Sequence, residues 1–346
     1  MKPRTIYLDI IRVIACLMVI LMHAPVPGEG AAAHGPFLVM NSYFTAPCVP
    51  LFFMVSGALL LPCKEGMEAG VYLRKRIAKI AGPTICFSLF YILLKVNTSN
   101  LLMGGGKTLI VSLFSIPFSA QGHGILWFMY TLAGLYMLVP VLSPWLRNAP
   151  KHEIELYLAF WLITLLYPYI GTVLDINTGE TGVLYYLTGY AGYFLLGHYM
   201  SRYTLPLKWL WLITLLVLPM PVIDKVMGWN LDFYSAFGYL SVPVAVMTAT
   251  LFASVKRLVE KRQLGSVAST SLALVSNLSF GIYLVHIFVM RTLLYNWSFV
   301  LGIGNYYVQT LVVTVLTFIG SFAVCWIISK LPYSQYVTGY TSRTKK

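Results

Sequence analysis

Residues 6–24 read IYLDIIRVIACLMVILMHA, an apolar run long enough to span a bilayer but interrupted by Asp9, Arg12 and His23. An Asp or Arg near the centre of such a helix costs roughly 2.5–3.5 kcal/mol on insertion scales. Ionisable residues retained at that cost face a bundle interior or a wet cavity and mark a functional path. The spacing narrows the reading. His23 follows Arg12 by eleven positions, about three helical turns, so the two share one stripe roughly 16 Å apart along the axis. Asp9 precedes Arg12 by three positions and lies within reach as its partner. A cation toward one end and an imidazole toward the other predict a ligand lying along this helix.

The rest of the chain continues the pattern. Of 346 residues, 58% are hydrophobic and only 10% charged, against about 25% charged in an ordinary soluble domain. The mean hydropathy is +0.77. These values predict an all-α, polytopic integral membrane protein of about ten transmembrane helices. The apolar spans fall near 6–24, 48–62, 78–95, 124–143, 154–174, 182–200, 207–223, 235–255, 274–294 and 305–330. They form a single transmembrane domain over 1–346, with no soluble domain expected.

The net charge of +13 first suggests nucleic acid, but its distribution excludes that partner. Lys and Arg gather in alternate loops, as at Lys64 to Lys79, Arg202 to Lys208 and Lys256 to Arg262, while the opposite loops hold only Lys95, Lys107 and Lys225. Such a positive-inside bias places both termini in the cytoplasm. A cleaved signal peptide is the competing reading of the first helix, yet Asp9 and Arg12 interrupt its apolar core. The five cysteines are scattered without disulfide or metal-ligand spacing, and no metal site is expected.

Other polar residues sit where apolar ones would suffice. Ser56 and Gly57 put two small residues inside the second span, allowing a backbone or a ligand to approach closely. The run YLRKRIAKIAGP carries Arg74, Arg76 and Lys79, and the last two share a helix face. They are read either as membrane anchors or as a site for a phosphate-bearing cosubstrate. The stretch 25–47 reads as an outer loop, and Trp127 as an interfacial aromatic. In the ninth span Ser279, Tyr283 and His286 form one polar stripe. There is no G-x-S-x-G for a serine hydrolase, and Asp9 is the only carboxylate within the spans that carry these residues, too few for an ordinary proton-coupled carrier.

Taken together, these segments resemble the membrane acyltransferase family 3, bacterial inner-membrane O-acyltransferases of surface polysaccharides. Arg12 and His23 match its Arg-x10-His pattern, and VPLFFMVSG matches its FFxxSG element. RKRIAKIAGP matches its basic RxxR-like element, with Lys79 where Arg is frequent. A Lys there keeps the charge but loses bidentate geometry. LWFMYTLAGLYMLVPVL, AGYFLLGHYM and SFGIYLVHIFV match further segments in order.

The resemblance implies a multi-pass protein of the bacterial inner membrane that moves acetyl from cytosolic acetyl-CoA, as cosubstrate, to a hydroxyl of a glycan or lipid-linked sugar. No resident cofactor is implied. Within this reading His23 is the general base, Asp9 holds Arg12, and Arg12 meets the donor. Arg74, Arg76 and Lys79 gather the anionic donor, while Ser56, Gly57, Trp127, Tyr283 and His286 line the cavity. An acyl-His23 intermediate is the alternative chemistry. A polysaccharide exporter or flippase, and a transferase of succinyl or another short acyl group, are the alternative functions. The chain ends soon after the last span, so a single-component enzyme, without a fused extracytoplasmic domain, is expected.

Overall fold

The computed structural model describes residues 5–97, 105–119, 126–174, 182–260 and 265–342. Of the basic residues expected on the cytoplasmic side, Lys2 and Arg4 near the start, Lys261 and Arg262, and Arg343, Lys345 and Lys346 near the end lie outside them. Among the described residues there are helices and no strands, and nine helical segments are long and apolar enough to cross a membrane. The protein is a polytopic helical membrane protein.

The elements that build the site are α1 (Ile6–His23), α2 (Gly35–Thr45), α3 (Cys48–Leu60), α4 (Ala69–Asn97), α5 (Trp127–Asn148), α6 (Lys151–Thr164), α7 (Ala191–Arg202), α8 (Leu207–Val217), α9 (Val242–Val259), α10 (Ser266–Phe288) and α11 (Tyr306–Ser329). Helix α1 lies at the centre, packed against α2, α3, α9, α10 and α11. Its Ile11, Ala15, Cys16 and Ile20 are fully buried, giving the apolar complement to the Arg12–His23 stripe.

Several elements depart from the hydropathy spans. The stretch 25–47 is largely helical rather than an open loop, and 35–60 forms one long apolar segment bent at Ala46–Pro47. Pro36 in the first turn of α2 is compatible with helix because its missing N–H has no partner there. Helix α4 begins at Ala69, nine residues before the apolar run at 78, since Arg and Lys are good helix formers. Arg74, Arg76 and Lys79 therefore project from a rigid helix and not from a loop.

The expected span at 182–200 resolves into a single turn at Tyr185–Leu187 and the twelve-residue α7. At 1.5 Å per residue α7 is about 18 Å long, short of the ~30 Å hydrocarbon core. Gly189, at φ +96°, sets the break before it. Helices α7 and α3 touch backbone to backbone. A Cβ on Gly57 would lie 1.8 Å from Phe194 O, and one on Gly197 would lie 2.0 Å from Met54 O. This is close packing through small residues, as in other membrane helix pairs.

Lys256 is also more than a charge on the expected inner side. It is buried, and its Nζ donates to Met200 O at 2.9 Å and Ser201 O at 3.1 Å. It thereby satisfies carbonyls at the C-terminus of α7 that have no partner within the helix.

Candidate active site

At the Arg12 end, Asp9 in the first turn of α1 is only 5% exposed. Ser276 of α10 donates a 2.6 Å hydrogen bond to its Oδ1. Arg12 Nη1 lies 3.9 Å from the same oxygen, with 31% of the Arg12 side chain exposed. The carboxylate is thus anchored by a second helix while the guanidinium retains an open side.

That open side faces a cavity of about 320 Å³ whose wall includes Arg12, Lys79, Ser56, Tyr136, Tyr283 and Tyr340. Tyr136 stands in this wall together with Ser56 and Arg12. Arg76 does not line the cavity and sits 5.8 Å from the centre of the Tyr72 ring, a cation–π arrangement one turn before Lys79. Arg74 is exposed and does not line this wall. Gly57 does not line it either. It faces Phe194, about 100° around α3 from Ser56.

At the other end, the rings of His23 and His286 lie 5.7 Å apart, centre to centre. His23 is accessible, whereas His286 is fully buried. His286 Nδ1 is 2.5 Å from Tyr283 O. A carbonyl only accepts, so Nδ1 carries the hydrogen and Nε2 presents its lone pair. Nε2 is buried and has no hydrogen-bond partner among the described residues. Arg291 lies in a single π turn over Val289–Leu293, directly after the helix that carries His286. Such turns are rare and recur at functional sites.

The last turn of α1, which carries His23, is held from two sides. Asn41 of α2 donates to Leu21 O at 3.0 Å. The Tyr295 hydroxyl donates to His23 O at 2.6 Å and lies 3.1 Å from Pro25 O. Leu21 O also accepts from Ala24 N at 3.3 Å, and together these donors fix the height at which His23 stands.

Aromatic rings join the two ends. Phe128 and Tyr283, both in the cavity wall, are 5.2 Å apart, and Tyr283 is 5.7 Å from His286. Trp127 lies beside this line, stacked on Tyr239 at 5.6 Å and 5.5 Å from Tyr190, while the Tyr239 hydroxyl reaches Met22 Sδ at 3.3 Å. The fold therefore brings together Arg12, Lys79, Ser56 and Tyr283 in one cavity, and His23 with His286 beyond it. Ser276, Tyr136, Asn41 and Tyr295 were not singled out from the sequence. Ser276 and Asn277 form a polar pair within an apolar span, a signal that would have found the first of these.

Such a site can hold an anion at one end and take a proton at the other. No curated protein and no solved structure matches the chain. A family model described as an acyltransferase domain matches residues 5–330, a stretch that includes Asp9, Arg12, His23, Ser56, Lys79 and His286. With essentially its whole length matched, the chain belongs to the membrane acyltransferase family 3 and is a multi-pass membrane acyltransferase.

Proposed function

We propose that the protein transfers acetyl from acetyl-CoA, entering from the cytoplasm, to a hydroxyl of a surface or lipid-linked glycan in the bacterial inner membrane. The observation that carries this reading is the bipolar site along α1. Two cations, Arg12 and Lys79, share a cavity at one end, and aromatic contacts lead from it to His23 and His286 at the other. An acyl donor with phosphates at one end and a thioester at the other fits that polarity. Arg12, oriented by Asp9 and Ser276, and Lys79 bind its anionic part, and Arg76 strengthens the local positive field.

The acceptor hydroxyl then attacks the thioester carbonyl as neutral His23 removes its proton. The tetrahedral intermediate collapses with cleavage of the C–S bond. CoA leaves as a thiolate and recovers a proton from the His23 imidazolium. Its Nε2 lone pair lets His286 accept a hydrogen bond from His23, which leaves the other His23 nitrogen free to act as the base. Trp127, with Tyr239 and Tyr190, supplies a flat apolar surface on which a sugar ring can rest.

The test is mass spectrometry of surface glycans from wild type, a deletion strain and a His23→Ala strain with membrane expression verified. Loss of an acetyl-sized increment in both mutant strains, with glycan abundance unchanged, supports the proposal. A different mass increment would identify another acyl group and refute the acetyl assignment. Loss of the glycan itself in the deletion, together with its full modification in His23→Ala, would refute the transferase chemistry and favour export.

A further inference from the structure

The last described residues leave α11 and fold back into the bundle. Beyond Ser329 the chain makes a short turn at Ser334–Tyr336 and returns, so that Ser342 N and Oγ both reach Ser329 O, at 3.1 and 3.0 Å. The ends of the segment thus meet, as in a compact Ω-type loop. Its interior is packed. Ser334 is 1% exposed and Thr338 fully buried, and Thr338 N donates to Ser334 O at 2.9 Å.

The neighbouring helices leave room for this loop with glycines. A Cβ on Gly82 of α4 would stand 2.9 Å from Tyr336 O, and one on Gly281 of α10 would stand 2.9 Å from Thr338 Cβ. Within the loop, Gly339 at φ +74° lies against the Phe280 ring, where a Cβ would come within 2.7 Å. Glycine, lacking Cβ, takes this positive φ at no steric cost. The loop is therefore seated in a groove shaped for it.

Its placement bears on the site. Gly339 and Tyr340 form part of the wall of the cavity that holds Arg12 and Lys79, together with Phe280. Both loop residues lie outside the stretch 5–330 matched to the family, so family membership assigns them no role. We infer that the loop is a recognition element of the donor cavity, and that Tyr340 contacts a planar ring on the anionic donor, the nucleotide base. The inference rests on the reading of this cavity as the donor site. Cations beside an aromatic wall suit a ligand that carries both phosphate and a flat heterocycle, since rings stack on bases while cations meet phosphates.

The test compares two probes on full-length protein in nanodiscs: coenzyme A, which carries the base, and 4′-phosphopantetheine, which does not. Tyr340→Ala is expected to weaken coenzyme A binding about tenfold, the scale of one lost stacking contact, and to leave 4′-phosphopantetheine unchanged. Tyr340→Phe is expected to bind coenzyme A as the wild type does. Coenzyme A affinity unchanged in Tyr340→Ala, or equal weakening of both probes, overturns the inference. Should Tyr340→Ala fold poorly, maleimide labelling of Tyr340→Cys provides a second measurement. Coenzyme A is expected to slow that labelling, and labelling at the same rate with and without it counts against the contact. Arg12→Ala separates the two levels. If it leaves coenzyme A binding intact, the donor-cavity reading itself falls. If it weakens both probes while Tyr340→Ala affects neither, only the role of the loop falls.

Discussion

Asp9 offers a perturbation whose sign discriminates between two roles. Asp9→Asn keeps the shape of the side chain and an oxygen that accepts from Ser276 Oγ, but removes the charge beside Arg12. At the observed 3.9 Å the attraction lost is about 4 kcal/mol at an effective dielectric of about 20. Solvent reaches Arg12, whose side chain is 31% exposed, and screening reduces the net effect to about 1–2 kcal/mol. If Asp9 acts by holding Arg12 in its binding position, coenzyme A affinity falls about 5–30-fold. If the anionic donor senses only net charge, removing a carboxylate strengthens binding instead. Calorimetric titration of coenzyme A into wild-type and Asp9→Asn protein in nanodiscs, with thermal stability measured alongside, distinguishes the two. Unchanged or tighter binding by a folded Asp9→Asn protein would refute the positioning role. Ser276→Ala leaves the Asp9 charge beside Arg12 and removes only the hydroxyl that orients the carboxylate, so it is expected to weaken coenzyme A binding less than Asp9→Asn does.

Three further outcomes follow from the same geometry. Gly57→Ala and Gly197→Ala each force α3 and α7 apart, and overpacking of about 1–3 kcal/mol or more should appear as a lower unfolding temperature in detergent, with unchanged melting counting against the packing assignment. Tyr295→Phe removes the hydroxyl that holds His23 O and should lower turnover a few-fold, matching one hydrogen bond of about 0.5–1.5 kcal/mol, while coenzyme A affinity, read by titration, stays as in wild type. Lys256→Met should destabilise the fold by about 1–3 kcal/mol through unsatisfied carbonyls at the end of α7 without altering coenzyme A affinity, whereas Lys79→Met should do the reverse; matching phenotypes would refute the division of roles.

How far the site can be read from the sequence depends on which distances lie within one helix. The Arg12–His23 stripe and the Asp9–Arg12 pair are both read from helical periodicity alone; the fold puts Arg12 and His23 in one helix and Arg12 Nη1 3.9 Å from Asp9 Oδ1. Ser56 and Gly57 are adjacent in sequence, yet one faces the cavity and the other a backbone. A step of one residue turns the face by about 100°, and only the position of α7 decides which face meets what. Lys256 shows the same limit for charge. Its place in a basic cluster reads as topology, and its burial against Met200 O and Ser201 O appears only once α7 and α9 are packed. The His23–His286 pair lies furthest beyond one-dimensional reading, because it joins helices more than 260 positions apart in the chain. Each imidazole sits in its own apolar run for a reason the run does not contain. For His286 that reason is concrete: its Nδ1 is committed to Tyr283 O, its Nε2 has no hydrogen-bond partner among the described residues, and its ring lies 5.7 Å from that of His23. The meeting of two imidazoles from separate helices becomes visible only when the helices are assembled.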